Sequence, residues 1–355
     1  MKILMTGVGG PTPRSFAVAL KRYSSYSSIE FIGTDINPLA IGLYQYDLFP
    51  RSYIISPAWD KSNYWKNIED IIKKEKIDYA VILPELEVLA WSERQSMGAL
   101  PCPSLIPDFV LTKLLVDKAR MTETLSIFDM VPPSIEFDRE WSNIDDLFDQ
   151  LGRPFWVRSS VGSSGLGSLK VATVEALDSW MRMNPDIHKF LASKFLPGRN
   201  LACKLLYHDG LLIRSACAER VNYIMSKVAP SGITGNTSFG RFINEPDIVS
   251  FCIRAMEHLF QSSKAKQHGF FTVDLKEDGA GRPYITEINV RHVAFTQCFA
   301  AAGANLAADT IRILGHDPTF DQAYRMYKFE EDKIFLRDVD SLPIVMKERD
   351  LVKSI

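Results

Sequence analysis

Three oxygen-bearing side chains, Asp274, Glu287 and Asn289, stand where they could share a cation. Two apolar-rich runs, 270–275 and 284–290, flank a turn segment rich in Asp, Gly and Pro, the pattern of a β-hairpin. Strand side chains alternate between faces, so Glu287 and Asn289 project to one side. Pairing Asp274 opposite Glu287 leaves the loop 278–283, an ordinary length, and gathers all three residues into one patch. Two carboxylates side by side repel unless a cation sits between them. Hard oxygen donors without His or Cys in the set favour Mg²⁺ or Mn²⁺ over zinc. A solvated hairpin whose polar face carries two acids is the competing reading.

A second chemical signal precedes the hairpin. The spacing predicts a strand over 154–158 that ends in Arg158 and runs into Ser160, Gly162, Ser163, Ser164, Gly165 and Gly167, before a further strand over 169–172. Such a loop offers several backbone N–H groups to one anion. Gly162 and Gly167 have Walker A spacing, but Ser168 and Leu169 stand where that motif needs Lys and Ser/Thr, and a strand follows it. A P-loop is therefore excluded. Arg220 lies mid-strand in 218–226, where an arginine needs an anionic partner.

The elements that must position these groups read as α/β. Residues 2–6 form an apolar run, Gly7, Gly9 and Gly10 a turn, and 14–22 a helix, the opening of a doubly wound unit. Thr12 takes the place of the third fingerprint glycine, which weakens a dinucleotide reading. Strands over 31–34, 53–56 and 79–83 alternate with helices over 64–74 and 87–97, predicting a parallel sheet covered on both faces. Beyond the prolines at 101, 103 and 107 comes one helix over 108–126, and then a helix over 143–151. A strand over 189–196, a hairpin around Asp209-Gly210, a polar loop over 230–240 and a helix over 246–261 follow. Helices fill 296–314, and a closing helix and strand lie after 318.

The order Asp274, Glu287-x-Asn289, Arg291 after a hairpin resembles the metal-binding core of the ATP-grasp superfamily, which includes carbamoyl phosphate synthetase, biotin carboxylase and D-alanine–D-alanine ligase. The resemblance runs from about residue 1 to 314, with the metal hairpin its most specific part and the hinge its least. It implies an α/β ATP-grasp fold with a Rossmann-like N-terminal domain (1–107), a small lid subdomain (108–193), a large antiparallel subdomain with the metal site (194–320) and a C-terminal extension (321–355). It implies that ATP phosphates are held by Lys118, Arg158 and the 160–167 loop, and adenine by the hinge Lys194, Phe195 and Leu196. Asn200 stands near the place of the usual ribose-binding acid, and Arg291 and Arg220 would grip substrate or the transferred phosphate. The implied activity is a carboxylate–amine (amino acid) ligase that forms an amide or peptide bond through an acyl phosphate and releases ADP and phosphate. Its substrate loops would be 7–13, 84–88 (with Glu85 and Glu87) and 230–241, and its assembly a homodimer. The alternatives are carboxyphosphate or carbamoyl-phosphate chemistry, a non-catalytic nucleotide-binding protein, and a dehydrogenase built on the N-terminal glycine turn.

Composition narrows the classes. The chain has 355 residues, 46% hydrophobic and 24% charged, with formal net charge −2, a balance that points away from nucleic acid and from acidic membrane surfaces. No apolar run is long enough to span a bilayer, and the apolar stretch of the first ten residues is too short for a signal peptide. Five scattered cysteines without CxxC spacing predict reduced, buried thiols and a cytoplasmic protein.

Overall fold

The computed structural model describes residues 1–26, 28–141, 144–160, 168–227, 229, 232–338 and 344–350. The chain opens with a four-stranded parallel sheet, ordered Arg51–Ile54, Glu30–Asp35, Lys2–Thr6 and Tyr79–Val81. Helices Pro11–Tyr23 and Lys61–Glu75 connect its strands, and helix Glu85–Ser96 follows the last of them. Pro11 sits in the first turn, where its missing N–H costs nothing, and Asp60 caps the second helix by accepting from the Asn63 N–H. Gly7 has φ +67, and a Cβ there would lie 2.4 Å from Pro84 Cγ. The glycine turn is therefore packed against the strand end at 84. Asp35 Oδ2 accepts from the Gly9 N–H at 2.8 Å, which further ties the turn down.

The helix expected over 108–126 is two helices, Phe109–Val116 and Lys118–Ser126. Asp117 leaves the helical region (φ −95, ψ 99), and its side chain caps the second helix through the Arg120 N–H. A polar capping residue inside an apolar periodicity is what the pattern concealed. The break makes Lys118 the first residue of a helix, with its own N–H donated to Ser160 O at 3.0 Å.

A small antiparallel sheet follows, ordered Ser134–Asp138, Lys189–Lys194, Phe155–Ser159 and Ser168–Val171. Helices Asp145–Leu151 and Val174–Met183 supply Leu147, Phe148, Leu177 and Trp180 to a core shared with Phe137, Phe155 and Phe190. The large sheet runs Pro283–Asn289, Gly269–Glu277, Asn200–His208, Leu211–Tyr223, Thr237–Ile243, Lys333–Leu336 and Ile344–Lys347, with Arg325–Met326 pairing parallel to Leu211–Tyr223. Residues 237–240, expected in a polar loop, are thus strand. After residue 318 the described residues form strands and a short 3₁₀ turn at Glu348–Asp350, where a helix was expected. Phe335 inserts against Phe242 and Phe295, and burial of the β-branched Ile334 beside it favours strand.

The large sheet is covered on both faces. Helix Pro246–Ser263 packs Val249, Cys252, Met256 and Leu259 onto Cys203, Leu205 and Tyr207. The opposite face packs against Phe295 and Phe299, whose helix adjoins Leu306–Leu314. That last helix also joins the first core through Ala307 and Ile311 beside Phe16 and Leu20. Asn305 Nδ2 donates to Ala19 O and Tyr23 O, so the parallel sheet's first helix is locked to the large sheet. All five cysteines are buried, and none forms a disulfide. No helix among the described residues is long and apolar enough to cross a membrane.

Candidate nucleotide and metal site

The two strands of the hairpin, Gly269–Glu277 and Pro283–Asn289, pair antiparallel with Asp274 opposite Glu287 and Thr272 opposite Asn289. Asn289 Nδ2 donates to Asp274 Oδ2 at 3.2 Å. Two carboxylates and an amide oxygen thus share one sheet face, as the alternation predicted. On the same face two strands away, Arg220 donates through NH1 to Asp274 Oδ1 at 3.1 Å and through Nε to Thr237 Oγ1 at 2.8 Å. The anionic partner that a mid-strand arginine needs is therefore Asp274 itself.

Two further cations reach Glu287's neighbourhood from other elements. Lys118 Nζ, buried at the helix start, lies 3.3 Å from Glu287 Oε1. Arg158, on the small sheet, donates through NH2 to Thr286 O at 2.7 Å, so the two sheets meet at the hairpin. Arg291 donates through NH1 to His292 O at 3.1 Å. The Nε atoms of both Arg158 and Arg291 are buried without a hydrogen-bond partner among the described residues. An unsatisfied buried guanidinium donor costs energy that an anionic ligand would recover.

These groups line one cavity of about 550 Å³. Its walls include Lys118, Arg158, Arg220, Asp274, Glu287, Asn289 and Arg291, together with Lys194, Phe195, Leu196 and Asn200. Pro11, Thr12 and residues 232–236 complete it, bringing two of the three expected substrate loops to the rim. Ser160 faces away into a neighbouring cleft, where its hydroxyl donates to Glu136 Oε1 at 3.1 Å. Gly162, Ser163, Ser164, Gly165 and Gly167 lie outside the described residues. Arg199 is turned from the cavity by ion pairs of 2.7 Å to both Glu245 and Glu277, which leaves Asn200 on the wall.

Electrostatics separate the two carboxylates. Burial raises the pKa of Asp274 above the ordinary aspartate range, with Glu287 adding to the rise and Arg220 opposing it. Burial pushes Glu287 the same way, but Lys118, Arg158 and Arg291 outweigh it and hold its pKa low. Burial also raises Glu85, which sits within the field of Lys118, Arg291 and Glu287. The lining carries seven cationic side chains, with Lys170 and Lys276 beside those named, against the two acids Asp274 and Glu287, which favours a polyanion accompanied by a divalent cation. Oxygen donors on adjacent strands suit Mg²⁺, and the unpaired guanidinium donors suit phosphate oxygens.

Two findings depart from the sequence expectations or extend them. Glu87 is no substrate group: it is buried, accepting from Tyr64 Oη at 2.7 Å, which in turn accepts from Trp91 Nε1 at 2.9 Å. Lys204, not singled out in sequence, is fully buried opposite Thr272 on the same face as Asp274. Its Nζ lies 4.6 Å from the Phe295 ring centroid and 5.1 Å from that of Phe299, without a hydrogen-bond partner among the described residues. A lysine within Ala202-Cys203-Lys204-Leu205, amid strand-forming residues, was its only sequence signal. His292 is packed into the core, stacked on Phe270 with Nε2 3.1 Å from Thr310 Oγ1.

No protein-family model and no curated protein matches the chain. Solved structures do. N5-carboxyaminoimidazole synthetase from Staphylococcus aureus, complexed with ADP, superposes with TM-score 0.69 at 15% identity, covering 94% of this chain and 81% of its own. The biotin carboxylase domain of 2-oxoglutarate carboxylase from Hydrogenobacter thermophilus, a dimer with MgADP and bicarbonate, gives 0.67 at 14%, covering 95% and 74%. L-amino acid ligase from Bacillus licheniformis gives 0.64 at 14%, covering 94% and 78%. At these identities the likeness speaks to architecture, and its conclusion is that this chain has the ATP-grasp fold.

Proposed function

We propose that the protein is an ATP-dependent carboxylate–amine ligase. The observation that carries this reading is the convergence of Asp274, Glu287 and Asn289 with Lys118, Arg158, Arg220 and Arg291 on one cavity. Asp274, Glu287 and Asn289 would hold Mg²⁺, which supplies charge neutralisation along the phosphate chain. Lys118 and Arg158 hold the phosphates, while the hinge at Lys194, Phe195 and Leu196 receives adenine beside Asn200. The small sheet, hinged there, acts as the lid. A substrate carboxylate oxygen attacks the γ-phosphorus, forming an acyl phosphate and ADP. The amine then attacks the acyl carbon, inorganic phosphate leaves, and an amide remains. Arg291 and Arg220 stabilise the negative charge that develops on the transferred group and the acyl oxygen. No protein nucleophile is required. The reading places the enzyme in the cytoplasm and, like the neighbouring biotin carboxylase domain, in a homodimer.

A second reading, carboxyphosphate chemistry, is favoured by the neighbours: one is a carboxyaminoimidazole synthetase and another was solved with bicarbonate. One assay separates the two. ADP release with Mg²⁺-ATP is followed against amino acids singly and in pairs, and against bicarbonate with amines. Release that requires a particular amino acid pair, and vanishes in Glu287→Gln, supports the ligase. Release that requires bicarbonate moves the assignment to the second reading. Silence in every combination, with intact folding, refutes both for the substrates tested.

A further inference from the structure

At the far end of the sheet from the cavity lies a second group of metal-ligating side chains that the proposed reaction does not use. The strands Asn200–His208 and Leu211–Tyr223 are joined by Asp209 and Gly210, with φ +49 and +92. Two positive φ values in a two-residue turn define a type I′ hairpin, which holds its tip rigidly. The next strand in the sheet, Gly269–Glu277, starts opposite this tip, Gly269 pairing with Tyr207. Residue 268 is thereby brought to 208 and 209. His208 lies six strand positions beyond Ala202, the partner of Asp274, so the tip is about 20 Å from the proposed Mg²⁺ ligands.

His208, Asp209 and His268 each offer a ligand atom, and these atoms lie within 4.8 Å of one another. Asp209 Oδ2 is 3.7 Å from His208 Nε2, and its other oxygen, Oδ1, is 3.4 Å from His268 Nδ1. A tetrahedral ion with bonds of about 2.0–2.1 Å needs ligand separations of about 3.4 Å, which a carboxylate oxygen approaches on each imidazole's side. The protonation pattern also suits a metal. His208 Nδ1 stands 3.3 Å from Gln322 Oε1, a partner that keeps the proton on Nδ1 and leaves the Nε2 lone pair available. His268 Nδ1 also accepts the Asp209 backbone N–H through a long 3.3 Å contact, which a bound ion would displace. Lys266 Nζ competes for Asp209 Oδ1 at 2.7 Å, but its side chain is exposed and can turn to solvent.

We propose that His208, Asp209 and His268 form a site for a borderline divalent transition ion, of which Zn²⁺ is the type, that fastens the hairpin tip to the start of the strand carrying Asp274. Two imidazoles and a carboxylate select such ions over Mg²⁺. The site stands independently of the ligase reading.

The full-length protein, stripped with chelator, is dialysed against micromolar Zn²⁺ in millimolar Mg²⁺, and bound zinc is quantified by elemental analysis. One equivalent is expected on the wild type and on Glu287→Gln. His208→Ala and His268→Ala each lower affinity at least tenfold. Asp209→Asn, which retains a residue suited to positive φ, lowers it as well and guards against loss through misfolding. Absence of a bound equivalent overturns the proposal, and so does an equivalent that survives all three substitutions.

Discussion

Replacing Lys204 by Met tests the electrostatic picture of the sheet beneath Asp274. The ammonium is fully buried, and burial lowers its pKa from 10.5 to about 7, against the opposing field of Asp274. The sign follows from linkage. The group binds protons less readily when folded, so its full stability is present above the unfolded value, declines as pH falls, and is lost once pH passes below about 7. At about 1.4 kcal/mol per pKa unit, the cost at neutral pH is on the order of 4–5 kcal/mol. Attraction to the Phe295 and Phe299 rings returns about 1–2 kcal/mol of that. Methionine matches the side chain in length and shape without the charge. Lys204→Met should therefore be more stable than wild type at pH 7 by about 3 kcal/mol. Unfolding entropy for 355 residues is about 0.7 kcal/mol/K, so the midpoint should rise by about 4 °C in calorimetry. Near pH 10.5 the two proteins should converge. A variant that melts below wild type by the same margin at both pH values would refute the reasoning.

Glu87, raised by burial to about 7, has the opposite sign. Its neutral form contributes stability that is full below the ordinary carboxylate value and lost as pH climbs through about 7. Glu87→Gln keeps an acceptor for Tyr64, so it should gain on wild type by about 2–3 kcal/mol at pH 8 and by little at pH 4.5, measured by thermal unfolding. If Lys118 holds a phosphate as proposed, Lys118→Met removes a charge-assisted contact of about 1.5–3 kcal/mol. Titration calorimetry should show nucleotide affinity reduced roughly 10- to 100-fold, and an unchanged affinity would remove Lys118 from the site.

Much of this site was legible because it is local. Asp274 and Glu287 pair across one short loop, and Asn289 follows by the period of two, so turn length and alternation suffice to place all three. Arg158 and Lys118 could be named from their neighbours in sequence, but their approach to the hairpin depends on two sheets meeting at Thr286 and Glu287, which no local pattern encodes. Lys204 was invisible for the same reason: its burial comes from a helix segment almost a hundred residues away that roofs the sheet with Phe295 and Phe299. Glu87 read as a helix-start acid near a substrate loop, and only the fold shows its carboxylate spent on Tyr64. The strand at Lys333–Leu336 was missed because its Phe335 finds Phe242 and Phe295 across long sequence separations. Asp117 was missed differently, since a single cap inside an apolar run leaves the helical period intact on both sides.

The most direct test of the central claim is ATP binding by titration calorimetry with and without Mg²⁺, on wild type and on Glu287→Gln. The arrangement of Asp274, Glu287 and Asn289 against Lys118 and Arg158 predicts one ATP per chain, bound more tightly with Mg²⁺, with that enhancement lost in Glu287→Gln. A wild-type protein that is folded and binds no ATP at millimolar nucleotide, or binds it with no dependence on Mg²⁺ or Glu287, would contradict the account.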